Sequence, residues 1–393
     1  MIEVEKYLSM AGKFDSHDRF VRSYHKFWVW FLRHEKEFFA VLSQKSNSDE
    51  VNEKFFEKMS VKLEEIKGNC YYFLAGMKDE HTAELILSAE GNIKNFVFVE
   101  ELVAVAPAIE GWKFVALKPA LGIEHMSMEQ FHIKMNGHVF DKNNQSFYED
   151  NDPEYPDEIN IAIVHDDLKK KNTSEIAKGV HIFLDCCLGE FEFATTIDKL
   201  RVVGKPKTGE TVRPILELGE FLARRKNESS CNGADGAEET IPDEEAQEFS
   251  LLEGRLDNGN PVLAAIDTSL LGLKNRALYP WIANLHVQFD APDNNGMPGK
   301  ESSDTMSRIE DDLLKIVQND RSILYIGRET GNGEKQMYFA CKDFRKISKA
   351  CYRIQDEYSD ILAIEYDIYK DKYWQSFREF ESGLDRPTIP IPS

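Results

Sequence analysis

Residues 322–341 read "SILYIGRETGNGEKQMYFAC", and this stretch decides the fold of the second half of the chain. Two runs rich in β-branched and aromatic residues, 322–330 and 335–341, flank the polar segment "GNGE". Glycine and asparagine readily adopt the left-handed backbone conformations that a tight turn needs. The stretch therefore predicts a β-hairpin.

A helix is predicted on each side of this hairpin. Upstream, residues 302–319 place four apolar side chains at helical spacing, namely Met306, Ile309, Leu313 and Ile316. Downstream, "FRKISKACYRI" has helical periodicity and "DILAIEYDIY" predicts a strand. Two further strands are expected at 260–270 and 280–290. The order β-β-α-β-β-α-β over 249–393 predicts a ferredoxin-like α+β sandwich, with its helices on one face of the sheet.

The first part of the chain, 1–226, predicts a second α+β domain. Two amphipathic helices, at about 16–43 and 49–66, are followed twice by the element order β-β-α-β. Because the same order of elements occurs twice, an internal duplication is one interpretation of this domain. Residues 227–248 are polar, acidic and almost free of large apolar side chains, so a linker or long loop is expected there.

Composition restricts the classes of function. The chain has 393 residues and a formal net charge of −21, which disfavours broad nucleic-acid binding and suits a basic protein partner. Six cysteines without a C-x-x-C pair argue against a disulfide framework or zinc ribbon. The N-terminus lacks the pattern of a signal peptide, and no apolar run is long enough to span a membrane. We therefore expect a cytoplasmic protein.

A glycine-rich stretch at 293–302, "DNNGMPGKES", invites a phosphate-loop interpretation. Gly296 and Gly299 lie too close together for that motif, and Glu301 follows the lysine where serine or threonine is needed. A carboxylate at that position would repel a phosphate. The stretch is better interpreted as a connector from strand to helix, and no cofactor is expected.

The predicted hairpin carries the most interesting polar cluster. Arg328 follows a strand, with Tyr325 and Tyr338 nearby, and arginine with tyrosine is favoured at protein interfaces and anion pockets. The alternative is a simple ion pair between Arg328 and Glu329 or Glu334. On the upstream helix, Glu310 and Asp311 are further candidates for an acidic interaction surface.

Histidines suggest two other possibilities. His132 and His138 share a face of a predicted strand, and with the "HDD" segment at 165–167 they could form a metal site, although exposed polar residues are the simpler interpretation. His165 and Asp166 are candidates for a cleft between the domains. The consecutive residues "SHD" at 16–18 cannot form a catalytic relay and suit helix capping.

Several motifs resemble a known bacterial family. The segments "NGMPGKE", "RIEDDL", "LYIGRET" and "NGEKQMYFAC", with a terminal Y-W-x-x-F pattern, resemble the domain of unknown function 695 over about 250–382. That domain is similar to the regulator of ribonuclease E activity B family. The segments "FWVWFLRHEKEFF", "AELILSAEGNIKNFVFVEELVAVAP" and "GWKFVALKP" resemble the region that accompanies it.

The resemblance implies a ferredoxin-like C-terminal domain without an established chemistry. It also implies a relative that is acidic and inhibits a ribonuclease by binding it. Together with the charge and the absence of a coherent catalytic constellation, this favours a non-enzymatic protein-binding or regulatory module whose target is a basic protein such as a nuclease or toxin. The alternative is a hydrolase or small-ligand-binding protein with a site between the domains, using His165, Asp166 and Arg328.

Overall fold

A computed structural model describes residues 19–43, 48–121, 131–232, 248–291 and 294–383. Backbone contacts divide the chain into two compact units: unit 1 comprises Met1–Glu149 and Ile161–Glu220, and unit 2 comprises Asp150–Asn160 and Phe221–Ser393. Both units combine helices with sheets, which confirms the α+β class. Within the described ranges, no helix is both long enough and apolar enough to cross a membrane.

Unit 1 begins with the aromatic helix that the sequence predicts. In α1 (Arg19–Ser43), the side chains of Tyr24, Phe27, Trp28, Phe31 and Phe38 are buried at spacings of one, three and seven residues, as on one face of a helix. The other helices described in residues 48–217 are α2 (Ser48–Val51), a π-helical turn (Asn52–Phe56), α3 (Glu57–Glu64), α4 (Ile93–Ala104), α5 (Thr173–Leu188), α6 (Glu190–Thr196) and a 3-10 turn (Ile215–Glu217).

Among the residues that the structure describes, three sheets belong to unit 1. The first has the order β1-β2-β3, formed by Tyr72–Met77, Ala83–Ser88 and Trp112–Ala116, with β1 antiparallel and β3 parallel to β2. A two-stranded hairpin joins β4 (Ile133–Met135) to β5 (His138–Phe140). The third has the order β8-β7-β6-β9, formed by Lys199–Val203, Asn160–His165, Gln145–Glu149 and Arg213–Pro214. The sequence between β5 and β7 is rich in Asn, Asp and Pro and predicts a polar loop, whereas the structure has β6 there, with Phe147 and Tyr148 buried.

Helix α7 (Leu218–Asn232) runs from the end of unit 1 into unit 2. It occupies the first six residues of the segment 227–248 that the sequence predicts as a linker, while 233–247 lie outside the described residues.

Unit 2 contains one six-stranded sheet with the order β10-β11-β13-β14-β12-β15. All of its strand pairs described here are antiparallel. The elements are β10 (Phe249–Arg255), β11 (Pro261–Asp267), α8 (Thr268–Leu271), a 3-10 turn (Arg276–Leu278), β12 (Trp281–Gln288), α9 (Lys300–Val317), β13 (Ile323–Gly331), β14 (Glu334–Cys341), α10 (Phe344–Glu357), β15 (Ala363–Lys370), a 3-10 turn (Gln375–Phe377) and α11 (Arg378–Gly383). The predicted hairpin is thus β13 and β14, and β10 is an additional strand.

The two sides of this sheet are covered differently. Helices α9 and α10 lie over one side, where Glu310 bonds to β13 and β14 and Ser348 approaches Tyr366 of β15. On the other side, the aromatic side chains of Trp374, Phe377 and Phe380 form a buried cluster with apolar residues of the strands. The sequence-predicted connector lies at the hairpin turn, since the carbonyl of Gly296 accepts a hydrogen bond from the N–H of Gly333 at 2.8 Å.

Candidate functional site

The first polar cluster in unit 2 centres on Glu310, which α9 projects toward the sheet. Its Oε1 accepts hydrogen bonds from the Tyr325 hydroxyl at 2.8 Å and from Nη1 of Arg328 at 2.7 Å. Its Oε2 accepts one from Nζ of Lys335 at 2.5 Å. We call these four residues the Glu310 cluster. The structure therefore joins Glu310, Tyr325 and Arg328, which the sequence indicated separately, and adds Lys335, which it did not.

An irregularity in β13 makes this convergence possible. Tyr325 and Arg328 are three residues apart, so a regular strand would point them to opposite sides of the sheet. The register shifts between Tyr325 and Gly327, which returns Arg328 to the side that faces the helices. Gly327 has φ +145°, and a Cβ there would lie 2.2 Å from the carbonyl oxygen of Ala265, so only glycine fits.

The electrostatics of the Glu310 cluster indicate a structural role. Burial raises the pKa of Glu310, but the charges and hydrogen bonds of Lys335 and Arg328 lower it overall. Glu310 is 8% exposed and Lys335 is 5% exposed, so the ion pair is almost fully withdrawn from water. Every polar side chain of the cluster bonds to another member, so the cluster ties α9 to β13 and β14.

The second cluster lies on the opposite side of the same sheet. One cross-strand row runs from Glu329 through Gln336 and His286 to Glu365. The next row places Tyr338, Asn284 and Asp367 side by side. These seven residues, together with Glu334, are called the acidic face.

Hydrogen bonds organise the centre of the acidic face. Oε1 of Gln336 accepts from Nδ2 of Asn284 at 2.8 Å and from the Tyr338 hydroxyl at 3.0 Å. Nδ1 of His286 lies 2.5 Å from Oε1 of Glu334. Asn284 is 8% exposed, and its Oδ1 has no hydrogen-bond partner among the described residues. That oxygen is an acceptor that an approaching N–H group can satisfy.

The acidic face carries four carboxylates of one sign. On this side, β12, β13, β14 and β15 contribute no lysine or arginine. Burial raises the pKa of Glu329, and the neighbouring charges of Glu379 and Glu334 raise it further. Glu365 and Asp367 are exposed on the edge strand, where they are available to a partner.

The structure separates other residues that the sequence grouped together. Tyr338 lies on the acidic face, not beside Arg328, because an odd offset in the hairpin register puts them on opposite sides. The predicted pairing of Arg328 with Glu329 or Glu334 is wrong, since its partner is Glu310. Asp311 is exposed on α9, outside the Glu310 cluster.

The histidine candidates of unit 1 are also dispersed. His165 is fully buried in β7, where its ring contacts Phe140, and burial lowers its pKa. Asp166, the next residue, is exposed, so the two do not form one polar surface. His165 is thus a core histidine, whose sequence neighbourhood gave no sign of its burial.

No metal centre is found in the part of the chain that the structure describes. His138 lies 3.7 Å from Asp167 and 4.0 Å from Glu175, whereas His132 is exposed. No group of three or more histidine, cysteine, aspartate or glutamate side chains among the described residues could hold a metal ion. The residues 16–18 lie outside the described ranges.

Comparisons with known proteins bear on unit 2 alone. No curated protein and no solved structure matches the chain. Residues 254–381, which contain most of the six-stranded sheet and both helices on it, match the family model of DUF695, a family of unknown function.

Proposed function

We propose that this protein is a non-enzymatic regulatory module that binds a basic protein through the acidic face of unit 2. The observation that carries the proposal is that the two sides of the sheet carry different charged groups. Arg328 and Lys335 are both paired with Glu310 on the helix side, while the carboxylates of the acidic face have no lysine or arginine beside them on their strands. An uncompensated carboxylate surface complements lysine and arginine side chains.

The centre of the acidic face supports recognition beyond charge. The free Oδ1 of Asn284 and the hydroxyl of Tyr338 lie between the exposed carboxylates of β15 and those of β13. A lysine or arginine that reaches Asn284 gains a hydrogen bond and relieves a buried, unsatisfied acceptor. The net charge of −21 would in addition attract a basic partner over distances comparable to the Debye length.

A nuclease or a toxin that acts on nucleic acid is the partner class that we favour. Such proteins carry basic surfaces because they must bind phosphate groups. A face with several carboxylates would compete with the phosphate groups for this basic surface. Its binding would therefore block the surface to nucleic acid. The similarity to the regulator of ribonuclease E activity B family, expected from the sequence motifs, is consistent with this mode of inhibition.

We further propose that the part of unit 2 from β12 to β15 is ferredoxin-like. Support comes from the element order β12-α9-β13-β14-α10-β15 and from the strand order β13-β14-β12-β15 in an antiparallel sheet. We also propose a duplication in unit 1, because β1-β2-α4-β3 and β6-β7-α5-α6-β8 have the same strand adjacency and differ in element order only by the added helix α6. An experimental structure in which β7 and β8 ran antiparallel would contradict the duplication, since β2 and β3 are parallel.

Two double variants with the same change of net charge test the binding proposal. Glu365→Lys/Asp367→Lys reverses charge on the acidic face, whereas Asp311→Lys/Asp360→Lys reverses it at exposed positions on the side of the helices. Each protein is titrated with a polylysine peptide while its amide resonances are followed by NMR. We expect the side-chain NH₂ signals of Asn284 and Gln336 to shift in the wild type and in the helix-side variant only.

The same three proteins are then used to capture partners from a lysate at low and moderate salt. The proposal requires a protein retained by the wild type and the helix-side variant but lost by the acidic-face variant. Equal loss in both double variants would show that net charge alone is responsible. Loss only in the variant that contains Asp311→Lys would move the interface to the helix side and overturn the proposal.

A further inference from the structure

Unit 1 contains a cavity of about 560 Å³ that none of the residues discussed so far lines. Its polar wall is formed by Glu90, Lys118, Asp185 and Asp198. They come from the turn after β2, the end of β3, α5 and the segment before β8. This volume lies within the range of about 300–1,000 Å³ that is typical of small-molecule sites.

The charged groups that line the cavity carry more negative than positive charge. Nζ of Lys118 lies 2.6 Å from Oδ2 of Asp185 and 3.1 Å from Oε1 of Glu90, so its ammonium group is already paired twice. Burial lowers the pKa of Lys118, but its bonds to Asp185 and Glu90 raise it overall, which keeps it charged. Asp198 also lines the cavity but makes an interaction of its own, so the charge balance rests on Glu90 and Asp185 against the single lysine. An anionic ligand would have to displace existing ion pairs, whereas a cation would meet this excess of negative charge.

A buried carboxylate holds the rim of the cavity in place. Glu190 has no exposed surface, and its Oε1 accepts hydrogen bonds from the N–H groups of Ala89 and Gly91, both at 2.9 Å. Its Oε2 accepts one from the N–H of Lys118 at 3.0 Å. One side chain thus fixes the backbone on both sides of Glu90 and at Lys118, so the polar wall is pre-organised.

The other walls are apolar and neutral. Ile182, Phe193, Ile197 and Leu200 line the cavity beside the ring of His181, which makes an edge contact with Phe193 at 5.6 Å between centroids. Burial lowers the pKa of His181, so its ring adds no positive charge at neutral pH. The cavity therefore combines a surface suited to a hydrocarbon group with a carboxylate-rich end.

We propose that this cavity binds a small organic cation, a primary ammonium or guanidinium group attached to an apolar body. The carboxylate of Glu90 receives the cationic head, and the side chains around Phe193 receive the apolar body. Lys118 serves to hold Asp185 and Glu90 in position and does not contact an anion.

Three probes that share one skeleton and differ in charge test the proposal on the full chain. These are 2-phenylethylammonium, 2-phenylethanol and 3-phenylpropanoate, each titrated while the amide signals of residues lining the cavity are followed by NMR. Ligands of this size can reach millimolar affinity. We expect saturable shifts with the ammonium, weaker ones with the alcohol and none with the carboxylate.

Amino-acid variants distinguish recognition of the charge of the ligand from simple filling of the cavity. Glu90→Gln should weaken binding of the ammonium about fivefold and leave the alcohol unchanged, as for a partly exposed ion pair. Ala194→Phe, which fills the cavity, should abolish binding of both, and Glu80→Gln at an exposed position is the matched control. Thermal unfolding checks that each variant is folded. Equal affinity for ammonium and alcohol, preference for the carboxylate, or no saturable shift at millimolar concentration would each overturn the proposal.

Discussion

At the scale of single residues, Glu310 has the largest energetic consequence in unit 2. It is the carboxylate that compensates Lys335, which is only 5% exposed. We expect Glu310→Gln to reduce the free energy of unfolding by about 3–5 kcal/mol, because the variant leaves a buried ammonium without a counter-ion. Denaturant unfolding measures the loss, and Asp311→Asn on the same helix, an exposed position, should change stability by less than about 0.5 kcal/mol.

The double variant Glu310→Leu/Lys335→Met distinguishes a missing counter-ion from damaged packing. Removing both charges eliminates the desolvation cost that the single variant exposes. We expect the double variant to recover a large part of the lost stability. A double variant as unstable as Glu310→Gln would show that α9 depends on the shape of the glutamate and not on its charge.

The pH dependence of stability also depends on Glu310. Burial raises its pKa, but Lys335 and Arg328 lower it overall from the ordinary value of 4.5. The carboxyl of Glu310 therefore binds its proton less tightly in the folded chain than in the unfolded chain. It stabilises the fold fully above the unfolded pKa, and this stabilisation is lost as the pH falls through the folded pKa. In urea titrations, the wild type should lose stability on acidification more steeply than Glu310→Gln.

The sequence contained a signal for the burial of each member of this ion pair but none for their pairing. Glu310 lies four residues after Met306 and one after Ile309, on the edge of the predicted apolar stripe. Lys335 alternates with Met337, Phe339 and Cys341, which all face the helices. The two charges are 25 residues apart, and only the tertiary packing of α9 against the hairpin brings them together.

At the scale of elements, the junction between α5 and α6 illustrates how the backbone conformation of a single residue divides a helix. The apolar periodicity of residues 174–190 predicts a single helix, whereas α5 ends at Leu188 and α6 starts at Glu190. Gly189 between them has φ +80°, and a Cβ there would lie 2.6 Å from the backbone nitrogen of Ala120. This break turns Glu190 toward the backbone of two other loops, a contact that no local pattern indicates.

Glu190 should therefore be costly to replace even by its amide. In Glu190→Gln, an NH₂ group faces at least one backbone N–H that it cannot satisfy, so we expect a loss of about 1–3 kcal/mol in the free energy of unfolding. Glu110→Gln, at an exposed position, is the control and should be near neutral. A loss of equal size in the control would refute the assignment of a special role to Glu190.

Strand prediction failed where the pattern was short or the segment polar. The prediction missed β6 because Asn, Asp and Pro residues surround its five residues, although Phe147 and Tyr148 are buried. The prediction also missed β10, whose residues are only partly buried. The position of β10 in the sheet depends on its pairing with β11. Both strands depend on a neighbour in the sheet, and such pairing energy is not encoded by periodicity alone.

At the scale of the whole molecule, the net charge of −21 and the acidic face should act on the rate of association. We expect the association rate with a captured basic partner to fall as salt rises, because the Debye length shrinks from about 10 Å at 0.1 M to about 3 Å at 1 M. Surface plasmon resonance with Glu365→Lys/Asp367→Lys should show slower association at low salt, with the difference disappearing at high salt. A salt-independent association rate would exclude electrostatic attraction as the source of encounter.

The irregularity in β13 has a consequence for the sidedness of the entire sheet. Ile326 is an extra residue on that strand, and it inverts the phase of every side chain that follows it. If β13 kept all of its residues but alternated regularly, Glu329 would turn inward toward Glu310, and Arg328 would emerge among the carboxylates outside. The interior would then hold two like charges against Lys335, and the outer surface would carry a guanidinium. A single irregularity in one strand thus sets the polarity of both surfaces.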